Sequence, residues 1–265
     1  SWGWSLLRPN TLYWDDWAIY FDRPADYGLK YASDMGRAPW GGLIEFYLQQ
    51  VGIWAVSLAT FAIFFATSLL IFIILFQKTY LADIQVRIIT IVFLTVPVNH
   101  ARIAVTIFDY TTSYFLFFLG WLILIRHRSL RSFILSWVIL FLSLKTHSFL
   151  FFILLPFLHF YWLNNEKLLK AKKLNSVHLQ FVLIALMPFL YLILRDIFWS
   201  PSEAWVGYHR PSVKGFLMGS VLFALPIVVL VFYTLRTKKK MQIDKNLALF
   251  SVGIAIIGLA LLPYF

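Results

Sequence analysis

VGIWAVSLATFAIFFATSLLIFIILF, residues 51–76, decides the fold. It carries no charged side chain and is longer than the roughly 20 residues an α-helix needs to cross a ~30 Å hydrocarbon core. A stretch of this kind belongs in lipid. The surrounding chain agrees: of 265 residues, 61% are hydrophobic, 19% aromatic and only 13% charged. A soluble domain carries about a quarter charged residues, so this chain lacks the polar groups to wet its own exterior. Mean hydropathy is +0.78. There is no cysteine, which excludes a disulfide framework, a thiol nucleophile and a Cys-ligated zinc or iron–sulfur centre.

Working outward, further apolar runs lie at Ile88–Val98, Ser113–Ile125, Phe133–Leu144, Ser148–Leu163, Val177–Phe198, Gly215–Leu235 and Leu247–Phe265. Ile88–Val98, Ser113–Ile125 and Phe133–Leu144 are too short to cross unaided. The first two flank the polar segment Asn99–Thr112 and are expected to extend into it as helices. Short runs suit buried bundle helices with polar ends, and equally suit half-length helices that open a polar cavity on one side. The predicted fold is all-α: a polytopic transmembrane helix bundle of about eight spans with short or broken helices, residues 51–265. A non-cytoplasmic first loop with interfacial helices, residues 1–50, precedes it.

Segment 1–7 has neither the basic start nor the long apolar core of a signal peptide, and the last residues, Leu-Leu-Pro-Tyr-Phe, are still apolar. The chain is therefore expected to be an internal piece of a longer protein, with at least one spanning helix upstream.

Net charge is +11, and the basic residues fall between the apolar runs. If residues 51–76 run outside to inside and each later run crosses once, 14 of the 23 Lys and Arg lie in inside loops, against three acids. The nine outside cations meet nine acids, so the whole excess falls on one face. That matches the positive-inside rule. The clusters Arg126–Arg131 and Arg236–Lys240 then read as anchors to anionic headgroups. They form no continuous basic face, so nucleic acid is not an expected partner.

Chemistry is expected on the outside. Segment 12–47 is rich in acids and aromatics, with Trp14, Trp17 and Trp40 among them, and Gly36–Gly42 predicts a tight turn before a helix leading into Val51. Tryptophans suit the headgroup level, and they also stack on the apolar face of a pyranose. Both readings stand for these three. Asp15 and Asp16 are adjacent carboxylates; near a bilayer surface their repulsion raises at least one pKa unless cations or donors compensate. One of them can face a cavity while the other caps a short helix, Trp17–Phe21, or pairs with Arg23 or Arg37. On the same face lie His100 and Arg102, then Lys145 and His147, then Arg195, His209 and Arg210. Singly each can snorkel to the interface. Together they are expected to hold a phosphate or diphosphate on a lipid carrier.

The segment Leu12-Tyr13-Trp14-Asp15-Asp16-Trp17 is followed by an amphipathic polar loop, a long span and short helices broken on the outer side. In this the chain resembles the integral-membrane glycosyltransferases of the GT-C superfamily, above all the bacterial O-antigen glucosyltransferase-like members. The resemblance covers the chain to about His147. It implies an inverting transfer from a polyprenyl-phosphate-linked sugar to a glycan, lipid or protein acceptor, at the periplasmic or extracellular face of the bacterial plasma membrane. By position the general base would be Asp15 or Asp16, with Asp109 a second acid, and His100, Arg102, Lys145 and His147 would stabilise the leaving phosphate. No Asp-x-Asp triplet occurs in the first loop and many family members work without metal, so no metal or other cofactor is expected.

Other readings compete. A lipid-linked polysaccharide polymerase or ligase would depend on Arg102, Arg195 and Arg210 rather than on the acids. A transporter or flippase would favour repeated halves and charges at mid-membrane, neither of which the sequence shows. A membrane acyltransferase would want a histidine within the bundle, and His159 reads more naturally as a satisfied bundle residue. The soluble-enzyme patterns GxGxxG, P-loop, GxSxG and HExxH are absent.

Overall fold

A computed structural model describes residues 10–12, 34, 40–78, 81–95, 108–126, 129–144, 150, 152–170, 176–200 and 202. The apolar run at 51–76 is interrupted near its start by Gly52, whose φ of 138° is open to a residue without a side chain. Its N–H closes on Leu48 O at 3.1 Å and its own carbonyl accepts Ala55 N–H at 3.0 Å. One glycine thus ends helix α1, Trp40–Val51, and starts helix α2, Ile53–Lys78.

Five more helices follow among the described residues: α3 (Asp83–Thr95), α4 (Phe108–Arg126), α5 (Leu130–Ser143), α6 (Leu154–Lys170) and α7 (Ser176–Phe198). No strand occurs among these residues. Three helices, α2, α4 and α7, are long and apolar enough to cross a membrane. The last two apolar runs, Gly215–Leu235 and Leu247–Phe265, lie outside the described residues, so eight crossings remain an expectation. Of the short runs, Ser113–Ile125 grows into a full-length helix because it continues back to Phe108, as anticipated. The Ser148–Leu163 run lies in α6, which begins later and carries on through Asn164 to Lys170.

The burial pattern is that of a helix bundle in lipid. On α2 the hydroxyls of Ser57, Thr60, Thr67 and Ser68 are buried, while Trp54, Leu58, Phe65, Leu69 and Phe76 form one exposed stripe. In water that arrangement would be inside out. In lipid, small hydroxylated side chains let backbones approach and the apolar stripe meets acyl chains. Thr67 Oγ1 donates to Ile63 O at 2.8 Å, and Ser68 Oγ reaches across to Thr90 O of α3 at 3.3 Å.

Side-chain pairings set the directions. The Phe64 and Phe93 rings stack with centroids 4.8 Å apart, which with the Ser68–Thr90 bond sets α3 antiparallel to α2. Val56 clusters with Phe108 at one end, and Arg126 Nε donates to Gln77 Oε1 at 2.8 Å at the other, so α2 and α4 run parallel. A short connection turns α4 into α5, whose first turn is closed by a capping box between Ser129 and Ser132. Along the α4–α5 seam Ser136 Oγ donates to Gly120 O at 2.8 Å, and a Cβ on Gly120 would stand 2.7 Å from Leu140 Cγ. α7 runs parallel to α5, since Trp137 meets Leu183 and Phe141 meets Tyr191. Helices α2–α5 therefore alternate up and down, and α7 runs the same way as α5. A core of Phe117, Leu124, Phe133, Leu140, Phe160, Ile184, Met187 and Tyr191 joins α4 to α7.

Candidate functional site

The alternation gathers α1, the starts of α2 and α4, and the finishes of α5 and α7 at one end of the bundle. α5 runs out there with three carbonyls of its last turn engaged. Leu140 O accepts Ser143 Oγ at 2.6 Å, Phe141 O accepts Leu144 N–H at 3.1 Å, and Leu142 O accepts the indole N–H of Trp40 at 3.0 Å. Such carbonyls have no helical partner of their own, and at membrane depth water cannot reliably supply one.

Asp109 sits in the first turn of α4 and is buried. Its position suits the helix dipole, which favours an acid at an N-terminus. Its backbone carbonyl accepts Thr112 Oγ1 at 2.8 Å and Ser113 Oγ at 2.9 Å. At about 100° per residue, Asp109 lies on the face of α4 that carries Gly120, about three turns away. Gly120 packs on Leu140 of α5, so Asp109, eleven residues earlier, stands roughly 16 Å further toward the α1 end, beyond the point where α5 finishes at Leu144.

Arg195 arrives at the same end of the bundle from α7. It shares a buried stripe with Ile184, Met187 and Tyr191 and is only 3% exposed. Tyr191 meets Phe141 of α5 edge-on at 5.7 Å, and Arg195 is one turn further toward the α1 end. A cation in the last turn complements the helix dipole. One turn beyond, Trp199 N–H bonds Arg195 O at 2.8 Å and the Trp199 ring meets Trp40 edge to face, with centroids 5.5 Å apart.

Of the residues singled out from sequence, the structure thus brings Trp40, Asp109 and Arg195 to one end. Trp14, Asp15, Asp16, Trp17, His100, Arg102, Lys145, His147, His209 and Arg210 lie outside the described residues. His159 is built into the bundle, as expected: its Nδ1 accepts the Trp121 indole N–H at 3.1 Å. Among the described residues no group of three or more His, Asp or Glu is close enough to hold a metal ion.

Two participants were missed. Glu45 is buried in α1 and accepts Gln49 Nε2 at 2.9 Å, whereas Leu43, Ile44, Tyr47 and Val51 of the same helix are exposed. The signal was available: Glu45 is the one acid in an otherwise uncharged helix, flanked by Leu43, Ile44, Phe46 and Tyr47. The pairing of Trp199 with Trp40 had no sequence signal, because nothing local links positions so far apart.

Chemically, this end offers two buried carboxylates, one buried guanidinium and paired indoles around the finish of α5. A guanidinium held in a dry setting grips a phosphate well, and a carboxylate there can accept a proton. No family model matches the chain, nor does any curated protein or solved structure.

Proposed function

We propose that the chain is a membrane glycosyltransferase of the GT-C type, crossing the membrane eight times over these residues. It would move a sugar from a polyprenyl-phosphate carrier to a glycan, lipid or protein acceptor on the non-cytoplasmic face. The observation that carries this reading is the gathering of buried Asp109, Glu45 and Arg195 with Trp40 and Trp199 at the end of the bundle reached by the first loop. Burying charge in an apolar bundle is costly, so such groups mark function more often than architecture.

In the proposed reaction Asp15 or Asp16 takes the proton from the acceptor hydroxyl. The acceptor oxygen attacks the anomeric carbon from the face opposite the phosphate, forming the new glycosidic bond with inversion. The carbon–oxygen bond to phosphate breaks and its electron pair leaves with the phosphate, whose charge Arg195 and the outer cations stabilise. In this reading Trp14 and Trp17 are the rings offered to the sugar, and no metal is required.

The test is transfer of a labelled sugar from a polyprenyl-phosphate-linked donor by the intact natural protein in liposomes. Asp15→Asn and Asp16→Asn keep volume and remove the base, and one of the two is expected to lower the rate by about 10²- to 10⁴-fold. If both folded variants transfer at the wild-type rate, neither is the base. Buried Arg195 also favours a second reading, a lipid-linked polysaccharide polymerase or ligase, for which Arg195→Lys would abolish transfer while both Asn variants stayed active.

A further inference from the structure

Residues 34–40 and 195–202 are far apart in sequence yet fastened together twice. Ser202 donates to Asp34 O through both its N–H, at 2.9 Å, and its hydroxyl, at 3.2 Å. Trp40 makes the second fastening, its indole N–H on Leu142 O and its ring against Trp199. The last turn of α7, with Arg195 in it, is thereby tied to the end of α5 by a side chain from the first loop.

We infer that Trp40 is a positioning residue, a latch that fixes the Arg195-bearing turn of α7 over the finish of α5 and in register with the first loop. The indole is suited to this because both parts of it are used. An indole N–H near membrane depth must find an acceptor, and Leu142 O at a helix finish must find a donor. The ring edge, at 89° to Trp199, adds a contact that holds even when the hydrogen bond is lost. Trp40 is thus distinguished from a sugar platform, for which the ring face alone would matter.

The kinetic half of this inference rests on the transferase reading; the mechanical half does not. The chain has no cysteine, so Asp196→Cys, at an exposed position beside Arg195, takes a single nitroxide label. The experiment compares label mobility and donor kinetics in wild type, Trp40→Phe, Trp40→Ala and Trp199→Phe, in liposomes, for variants that remain monodisperse. Trp40→Phe removes the N–H together with the five-membered ring but keeps an aromatic edge. It is expected to loosen the label and to raise KM for the polyprenyl-phosphate donor about fivefold, the weight of one lost hydrogen bond, with a smaller change in kcat. Trp40→Ala should loosen it further, and Trp199→Phe, which keeps a ring edge, less.

An unchanged label in Trp40→Ala overturns the latch whatever the transfer data show. A loosened label with unchanged donor KM overturns the positioning role. Wild-type kinetics in Trp40→Phe with loss only in Trp40→Ala also overturns it, in favour of a sugar platform. A label loosened in the Trp40 variants of a protein whose wild type transfers no sugar supports the latch and removes the transferase reading alone.

Discussion

Gly120 shows how little freedom the tightest seam has. A methyl group there would lie 2.7 Å from Leu140 Cγ and 3.0 Å from Leu140 N, and the backbone atom cannot move without moving α5. Gly120→Ala is therefore expected to destabilise the bundle by about 1–3 kcal/mol, as overpacked cores do. A lowered thermal midpoint in detergent would show this, and an unchanged midpoint would mean that the helices sit further apart. Individual residues were unevenly legible in the sequence. Asp109 and Arg195 stood out because each is charged beside an apolar run, and both are buried at the same end. Glu45 was passed over because it was weighed as a loop acid. In sequence Trp40 reads either as a ring at the headgroup level or as a ring for sugar, while its N–H is committed to Leu142 O, a partner that only the folded chain supplies.

At the scale of elements, hydropathy found the helices and misjudged their ends. The run at 51–76 read as one unbroken span, yet Gly52 divides it, because a turn depends on one residue's backbone and barely changes an average. The run from Ser113 does extend back as expected, to Phe108, because Asp109, Thr111 and Thr112 are polar by composition but buried by position. The start of α5 is sharper. Ser129 and Ser132 exchange side-chain and backbone hydrogen bonds across the last residues of the basic cluster. Ser129→Ala should cost about 1 kcal/mol of stability, and Ser129→Thr should recover most of it. Chemical denaturation in mild detergent separates these outcomes; equal midpoints for the Ala variant and wild type would show that the cap contributes nothing.

At the scale of the whole molecule, the alternation of α2 to α5 was legible, because one crossing per apolar run implies it, whereas only α2, α4 and α7 are long and apolar enough to cross. What the sequence could not supply was which side chains meet at the shared end, since α1, α4, α5 and α7 are brought together only by packing. The account stands on that end facing away from the cytoplasm, where lipid-linked sugars would be used. These 265 residues carry no cysteine, so this is measurable with single cysteines in intact cells and a membrane-impermeant maleimide, any cysteine elsewhere in the protein being replaced first. Asp196→Cys, at the α1 end, should label from outside, while Arg131→Cys, at the opposite end, should label only after the membrane is opened. The reverse pattern, with position 131 reactive from outside and position 196 protected, would contradict the account.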